Sequence, residues 1–251
     1  LAYNYNLDLS TLTGLPQLAV LLLHENGITD LTPLANMTQL TELSLNDNYV
    51  TDLTPIAGLT QLTDLQLGNN RVSDLSPLSG LTKLAWLYLQ YNKIADISTL
   101  AGLPKLTELW LNGNGLVDLS SLSELTQLRY LWLTNNSIKD LTPLAGLAQL
   151  TELHLDHNEI KDLMPLAGLT QLTQLTADKN PLSDYPHVKG GVENIETSFL
   201  LPSDKEKIVY GGYVWNKEEL ISEIKRVYRF DKVDTAIRQI EECYDLNKIL
   251  E

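Results

Sequence analysis

A 22-residue period runs without insertion or deletion through about three quarters of the chain. Its first leucine falls at Leu18, Leu40, Leu62, Leu84, Leu106, Leu128, Leu150 and Leu172. An asparagine recurs at Asn26, Asn48, Asn70, Asn92, Asn114, Asn136, Asn158 and Asn180, and an aspartate at Asp30, Asp52, Asp74, Asp96, Asp118, Asp140, Asp162 and Asp184. One period earlier come Asn4, Asp8, Leu9, Leu12 and Leu15, and Leu1 aligns with Leu23. Such a period means stacked copies of one small unit. No unit can bury its apolar stripe alone, so the copies share one continuous core.

Each recurring position has a physical reason. The Leu-x-Leu pair, such as Leu43 and Leu45, alternates inward with period 2 and predicts a short strand. The asparagine that follows can bond backbone groups of adjacent turns, which predicts an interior ladder. Ile28, Val50, Val72, Ile94, Leu116, Ile138 and Ile160 fill the next core layer. The aspartate suits an N-cap at the start of a short turn. Pro33, Pro55, Pro77, Pro143 and Pro165 set φ within that turn. Calcium would instead need six to eight converging oxygens, and one carboxylate per turn beside leucines does not supply them.

The spacing L-x-x-L-x-L-x-x-N-x-L resembles the leucine-rich repeat over residues 1–185. With its N-x-I-x-D-L-x-P-L-A-x-L-T-x-L continuation it is similar to the bacterial internalin type. The resemblance implies an α/β solenoid, a horseshoe with a parallel concave sheet. It also implies a surface or secreted bacterial protein that binds other proteins on that face. The expected organisation is a partial repeat over 1–17, full repeats from 18 every 22 residues, and a small α+β C-terminal capping module over 186–251. The sequence opens inside a repeat, so an N-terminal cap and any signal peptide are expected outside it. A monomer is expected, with dimerisation through the uncapped N-terminal edge as the alternative.

Function is carried by the variable positions that flank the inward leucines. The central column reads Leu22, Ser44, Gln66, Tyr88, Trp110, Trp132, His154 and Thr176. The column two residues earlier reads Val20, Glu42, Asp64, Trp86, Glu108, Tyr130, Glu152 and Gln174. Positions after the strand add Tyr91, Asp156 and His157, among others. Neighbouring rungs stand about 5 Å apart. Trp86, Tyr88, Tyr91, Trp110, Tyr130 and Trp132 therefore gather in three consecutive repeats, interleaved with Glu108 and Glu152. Tryptophan and tyrosine are frequent anchors of binding hot spots. Stacking alone could also explain aromatic neighbours, at about 0.2–1 kcal/mol per pair. Stacking would serve any rung, however, and the outer rungs carry Leu, Ser, Gln and Thr.

Carboxylates among the rings predict a protein or peptide partner with a basic patch, its Lys or Arg stems lying on the rings. Glu108, Glu152 and Asp156 set the charge preference, and His154 and His157 are expected at the rim. A carbohydrate on the same face is the second reading, and scaffolding through the C-terminal module the third. A zinc site at His154 and His157 with a carboxylate would need both rings aimed at one point. Glu108 and Glu152 stand two rungs apart on an open face where nothing excludes water, which does not suit a glycosidase pair. No nucleophile elbow, phosphate loop or His-Glu-x-x-His occurs. The expectation is a non-enzyme without cofactor or metal.

Charge narrows the partners further. The chain carries 18 basic and 32 acidic residues, a net −14, so wrapping a nucleic-acid backbone is excluded. No apolar run is long enough to span a membrane. The lone Cys243 rules out an internal disulfide framework, and its helical spacing suits simple packing. Asn36-Met-Thr38 and Asn135-Asn136-Ser137 match glycosylation acceptors, which matter only in a eukaryotic secreted chain. After Asp184 the period breaks at a turn-rich stretch, Tyr185 to Gly191. Short strands are expected over 197–201 and 208–215, with a bend at Gly211-Gly212, then helices from Asn216 and Asp231. An internalin usually carries an immunoglobulin-like module here, and this tail departs from that pattern.

Overall fold

A computed structural model describes residues 9–15, 17–166 and 168–182, together with the strands Ser198–Phe199, Lys207–Tyr210 and Tyr213–Asn216. Eight strands stack in chain order: β1 (Val20–Leu22), β2 (Glu42–Ser44), β3 (Asp64–Gln66), β4 (Trp86–Tyr88), β5 (Glu108–Trp110), β6 (Tyr130–Trp132), β7 (Glu152–His154) and β8 (Gln174–Thr176). All neighbours are parallel, and every Cα partner lies one repeat away, as in Leu87↔Leu109↔Leu131. The sheet stays open. Its middle leucines Leu43, Leu65, Leu87, Leu109, Leu131 and Leu153 are fully buried. The architecture is therefore the solenoid horseshoe expected from the period.

The convex side is built from 3-10 turns, among them Thr32–Leu34, Thr54–Ile56, Ser98–Gly102 and Thr142–Leu144. The spacing of inward residues selects this tighter helix. Leu31, Leu34, Met37 and Leu40 recur every third position and are all buried. A 3-10 helix eclipses every third residue, whereas an α-helix would rotate that stripe away. The aspartates act one residue earlier than an N-cap. Asp30 Oδ1 accepts the Thr32 N–H at 2.8 Å, and Asp52, Asp74, Asp96 and Asp118 repeat the contact at the same distance. Leu31 itself occupies the cap position and makes no side-chain bond. The Thr32 hydroxyl and N–H hold the Asp30 carboxyl below the usual carboxylate range, and Thr54 and Thr142 do the same for Asp52 and Asp140. These turns are therefore tightest above the ordinary carboxylate pKa and loosen as acid protonates them.

The asparagine ladder holds the rungs together. Asn48 Nδ2 donates to Leu45 O of its own turn and to Leu23 O of the preceding one, both at 2.9 Å. Its Oδ1 accepts Asn26 N–H at 3.1 Å and Ile28 N–H at 2.9 Å. The same set recurs from Asn70 to Asn180 with small losses. Each buried amide thus satisfies backbone groups that sharp turns would otherwise leave unpaired.

Beyond the repeats, β9 (Ser198–Phe199) pairs antiparallel with β8. β10 (Lys207–Tyr210) and β11 (Tyr213–Asn216) form an antiparallel hairpin in register Ile208↔Trp215. Strands thus stand where 197–201 and 208–215 predict them. The partial repeat before residue 9, the 185–191 junction, Gly211-Gly212, both helices and Cys243 lie outside the described residues.

Candidate functional site

The strand register places Tyr88, Trp110, Trp132 and His154 in direct succession on four rungs. Their rings form one continuous column. Tyr88 meets Trp110 edge-on at 5.3 Å between centroids and 70°, and Trp110 meets Trp132 at 4.6 Å and 40°. Trp132 then stacks on His154 at 5.1 Å and 14°. Tyr130 adds a second contact to Trp132 at 6.3 Å. Main-chain pairing brings successive side chains within ring-contact distance, so the column follows from four aromatic side chains standing in register.

Polar groups along the column are mostly spent within it. Trp110 Nε1 donates to Glu108 Oε1 at 2.9 Å, so this indole offers a partner its ring and not its N–H. Burial pushes the Tyr88 phenol upward, and the charges of Glu108 and Asp64 push it further, so it stays protonated across the physiological range. His154 Nε2 lies 2.7 Å from Glu152 Oε1, and Nδ1 lies 3.0 Å from Thr176 Oγ1. Thr176 donates in turn to Asp156, whose Oδ1 accepts the Asp178 N–H at 2.7 Å. Glu152, Asp156 and His154 are thus one hydrogen-bonded chain.

Two expected members, His154 and Tyr91, stand differently from the sequence reading. His154 is not at the rim but is the fourth ring of the column, because its rung continues the stack. His157 is exposed on the following turn, where φ is +54°, so the two imidazoles sit on different elements. Among the described residues no group of three or more His, Cys, Asp or Glu side chains is placed to hold a metal. Tyr91 also leaves the column. Its ring lies over Gly113 of the next repeat, where an added Cβ would stand 2.5 Å from Cδ1.

Tyr91 belongs to a column that the sequence reading missed. Glu25, Asp47, Asn69, Tyr91, Gly113, Asn135, His157 and Lys179 all have φ between +54° and +66°, one per repeat. Asn69, Gly113 and Asn135 are residue types that favour this left-handed conformation, and their shared position was the available signal. A tyrosine pays a steric cost there of roughly 1 kcal/mol. Tyr91→Asn is therefore expected to raise stability by about 0.5–1 kcal/mol in urea unfolding, after loss of the contact with Gly113. Equal or lower stability would mean that the ring contact outweighs the strain.

Trp86 is the exposed end of the aromatic set, at 44% of its surface. It lies in register with Asp64 on one side and Glu108 on the other. Burial raises the Asp64 carboxyl above its usual range, and the charges of Glu42 and Glu108 add to this against the Gln66 hydrogen bond. A carboxyl that binds its proton more tightly when folded makes stability fall as pH rises through that raised value. Asp64→Asn is expected to melt at a higher Tm than the parent at pH 7. The gap should close as pH falls through the raised value, and a gap independent of pH would contradict the electrostatic cause.

Comparison with known proteins follows the same units. The model described as Leucine Rich repeats (2 copies) matches residues 16–58, 38–80, 60–102, 82–124 and 104–146. None of the curated proteins compared with the chain matches it. Among solved structures, an internalin from Listeria monocytogenes is 36% identical with a TM-score of 0.71, covering 74% of this chain and 55% of its own. Internalin C2 from the same organism is 38% identical with a TM-score of 0.66, covering 72% of this chain and 78% of its own. A Leptospira interrogans leucine-rich repeat protein is 28% identical with a TM-score of 0.65, covering 68% and 46%. The chain thus spans about half the length of the first of these internalins.

Proposed function

The chain belongs to the leucine-rich repeat family, in its bacterial internalin-like type, and from that premise we propose that its concave sheet is a non-catalytic surface recognising a protein or peptide. The observation that carries this reading is the run of rings from Tyr88 to His154 on four consecutive rungs, flanked by Trp86 and Tyr130. Rigid rings lose little conformational freedom on binding and offer wide apolar contact, the properties of hot-spot anchors. Glu42, Asp64, Glu108 and Glu152 border them, so the partner surface is basic. Tyr88, Trp110 and Trp132 stand tilted against one another, and Trp110 has already spent its indole N–H. Both features favour an interdigitating protein surface over a flat sugar ring.

The work is done at the surface of a bacterium or outside it, by analogy with the internalins. No helix among the described residues is long and apolar enough to cross a membrane. The test is affinity capture from host and bacterial extracts, comparing the full chain with the variant Trp110→Ala/Trp132→Ala. A protein retained only by the unaltered chain supports the concave face. The same proteins retained by both would move recognition to another surface.

A further inference from the structure

We propose that Trp86, set between Asp64 and Glu108, is a slot for an arginine side chain of the partner. The inference rests on the concave face being the recognition surface. It comes from a comparison of two places on that face, each an aromatic ring between two carboxylates, of which only one has an arginine beside the ring.

Tyr130 stands in register between Glu108 and Glu152. The residue before it, Arg129, lays its guanidinium over the Tyr130 ring at 5.7 Å from the centroid. Two repeats earlier the arrangement recurs: Trp86 stands between Asp64 and Glu108. The position corresponding to Arg129 is held there by Ala85. The Trp86 site therefore has a ring bordered by two carboxylates, as Tyr130 does, but no guanidinium over that ring. Its ring is exposed, and among the described residues neither Asp64 nor Glu108 has a positive group within 4.0 Å. Desolvation and repulsion from Glu42 and Glu108 already strain the Asp64 charge, and a cation would relieve both.

Guanidinium fits better than ammonium. It is planar, stacks on an indole face, and carries N–H donors around its edge that can reach a carboxylate on either side. The chain favours this pairing elsewhere: both arginines among the described residues, Arg71 at 4.5 Å from the Tyr49 centroid and Arg129, lie over tyrosine rings. Strand spacing of about 4.8 Å places the two carboxylates one rung to each side of Trp86.

The test follows the indole N–H resonances of the full chain while L-argininamide is added. Trp86 is assigned as the signal missing from Trp86→Phe. Argininamide is expected to move the Trp86 signal, and lysinamide to need roughly fivefold more ligand for the same shift. Citrullinamide, of similar shape but uncharged, is expected to leave it in place. Ala85→Arg supplies the missing guanidinium from within and is expected to weaken the argininamide response by about tenfold, comparable to one charge-assisted contact. Ala85 is held by main-chain contacts, its carbonyl accepting Thr107 N–H at 2.9 Å, so this variant keeps its fold. A citrullinamide shift equal to that of argininamide, or an unaltered response in Ala85→Arg, overturns the slot. Capture by the Trp110/Trp132 variant tests the recognition face separately. A partner lost with those two rings while argininamide has no effect sinks the slot and leaves the face. An arginine response with capture unchanged supports the slot and removes its proposed use.

Discussion

Asn136→Ala is expected to cost about 3–5 kcal/mol of stability, far more than its single side chain suggests. The Asn136 amide sits in the middle of the solenoid with 9% of its surface exposed. Its Oδ1 accepts Leu116 N–H at 2.9 Å and Asn114 N–H at 3.2 Å. Its Nδ2 donates to Leu133 O at 2.9 Å and Leu111 O at 3.1 Å. Alanine removes the partner of all four. An unsatisfied buried group costs about 1–3 kcal/mol, and partial relaxation keeps the sum below a simple total. Asn136→Asp is the sharper control. It keeps the acceptor but aims a carboxylate at two carbonyls, so it is expected to be at least as damaging at pH 7. It should recover partly in acid, where the protonated group can donate once more. Urea unfolding followed by circular dichroism reads both. A loss under about 0.5 kcal/mol, the range of a surface substitution, would show that the ladder does not hold the rungs. Because repeats contact only their neighbours, a broken central rung should also lower the m value as the two halves uncouple.

The features legible in the sequence are those that repeat. The period predicts the parallel register, the buried leucines and the asparagine ladder, because each position must make the same contact in every turn. The concave columns follow from strand alternation, which is why Tyr88, Trp110 and Trp132 could be placed side by side without coordinates. The remaining features depend on backbone conformation or on single departures from the period. The left-handed column carries Glu25, Tyr91 and Lys179, whose identities do not announce positive φ, so Tyr91 was grouped with rings from which its backbone turns it away. The rim assignment of His154 counted it as a polar residue, although an imidazole in register with an indole stacks on it. The 3-10 form of the convex side was present in the three-residue leucine spacing, but proline and aspartate signal a turn without setting its pitch. Arg129 and Ala85 differ at one repeat position, and only ring geometry gives that difference a meaning.

The double substitution Trp110→Ala/Trp132→Ala is expected to lower affinity for the captured partner on the order of 1000-fold. Two hot-spot residues of about 2 kcal/mol each correspond to that factor. Stability should fall much less. The pair loses its own contact at 4.6 Å and those with Tyr88, Tyr130 and His154, each worth about 0.5–1.5 kcal/mol at full burial and less on this half-open face. The leucines beneath, Leu109 and Leu131, remain fully buried and keep the rungs intact. Circular dichroism should therefore match the parent at 25 °C while titration calorimetry records the loss of binding. The split between the two measurements carries the argument, because a collapsed sheet would lose both together. His154→Phe adds a second control on the same column: it keeps a ring against Trp132 but breaks the contact with Glu152. If the rings alone anchor the partner, affinity should stay within about threefold, well inside one hot-spot contribution. Affinity unchanged by the double substitution in a folded chain would place the binding energy away from the concave column.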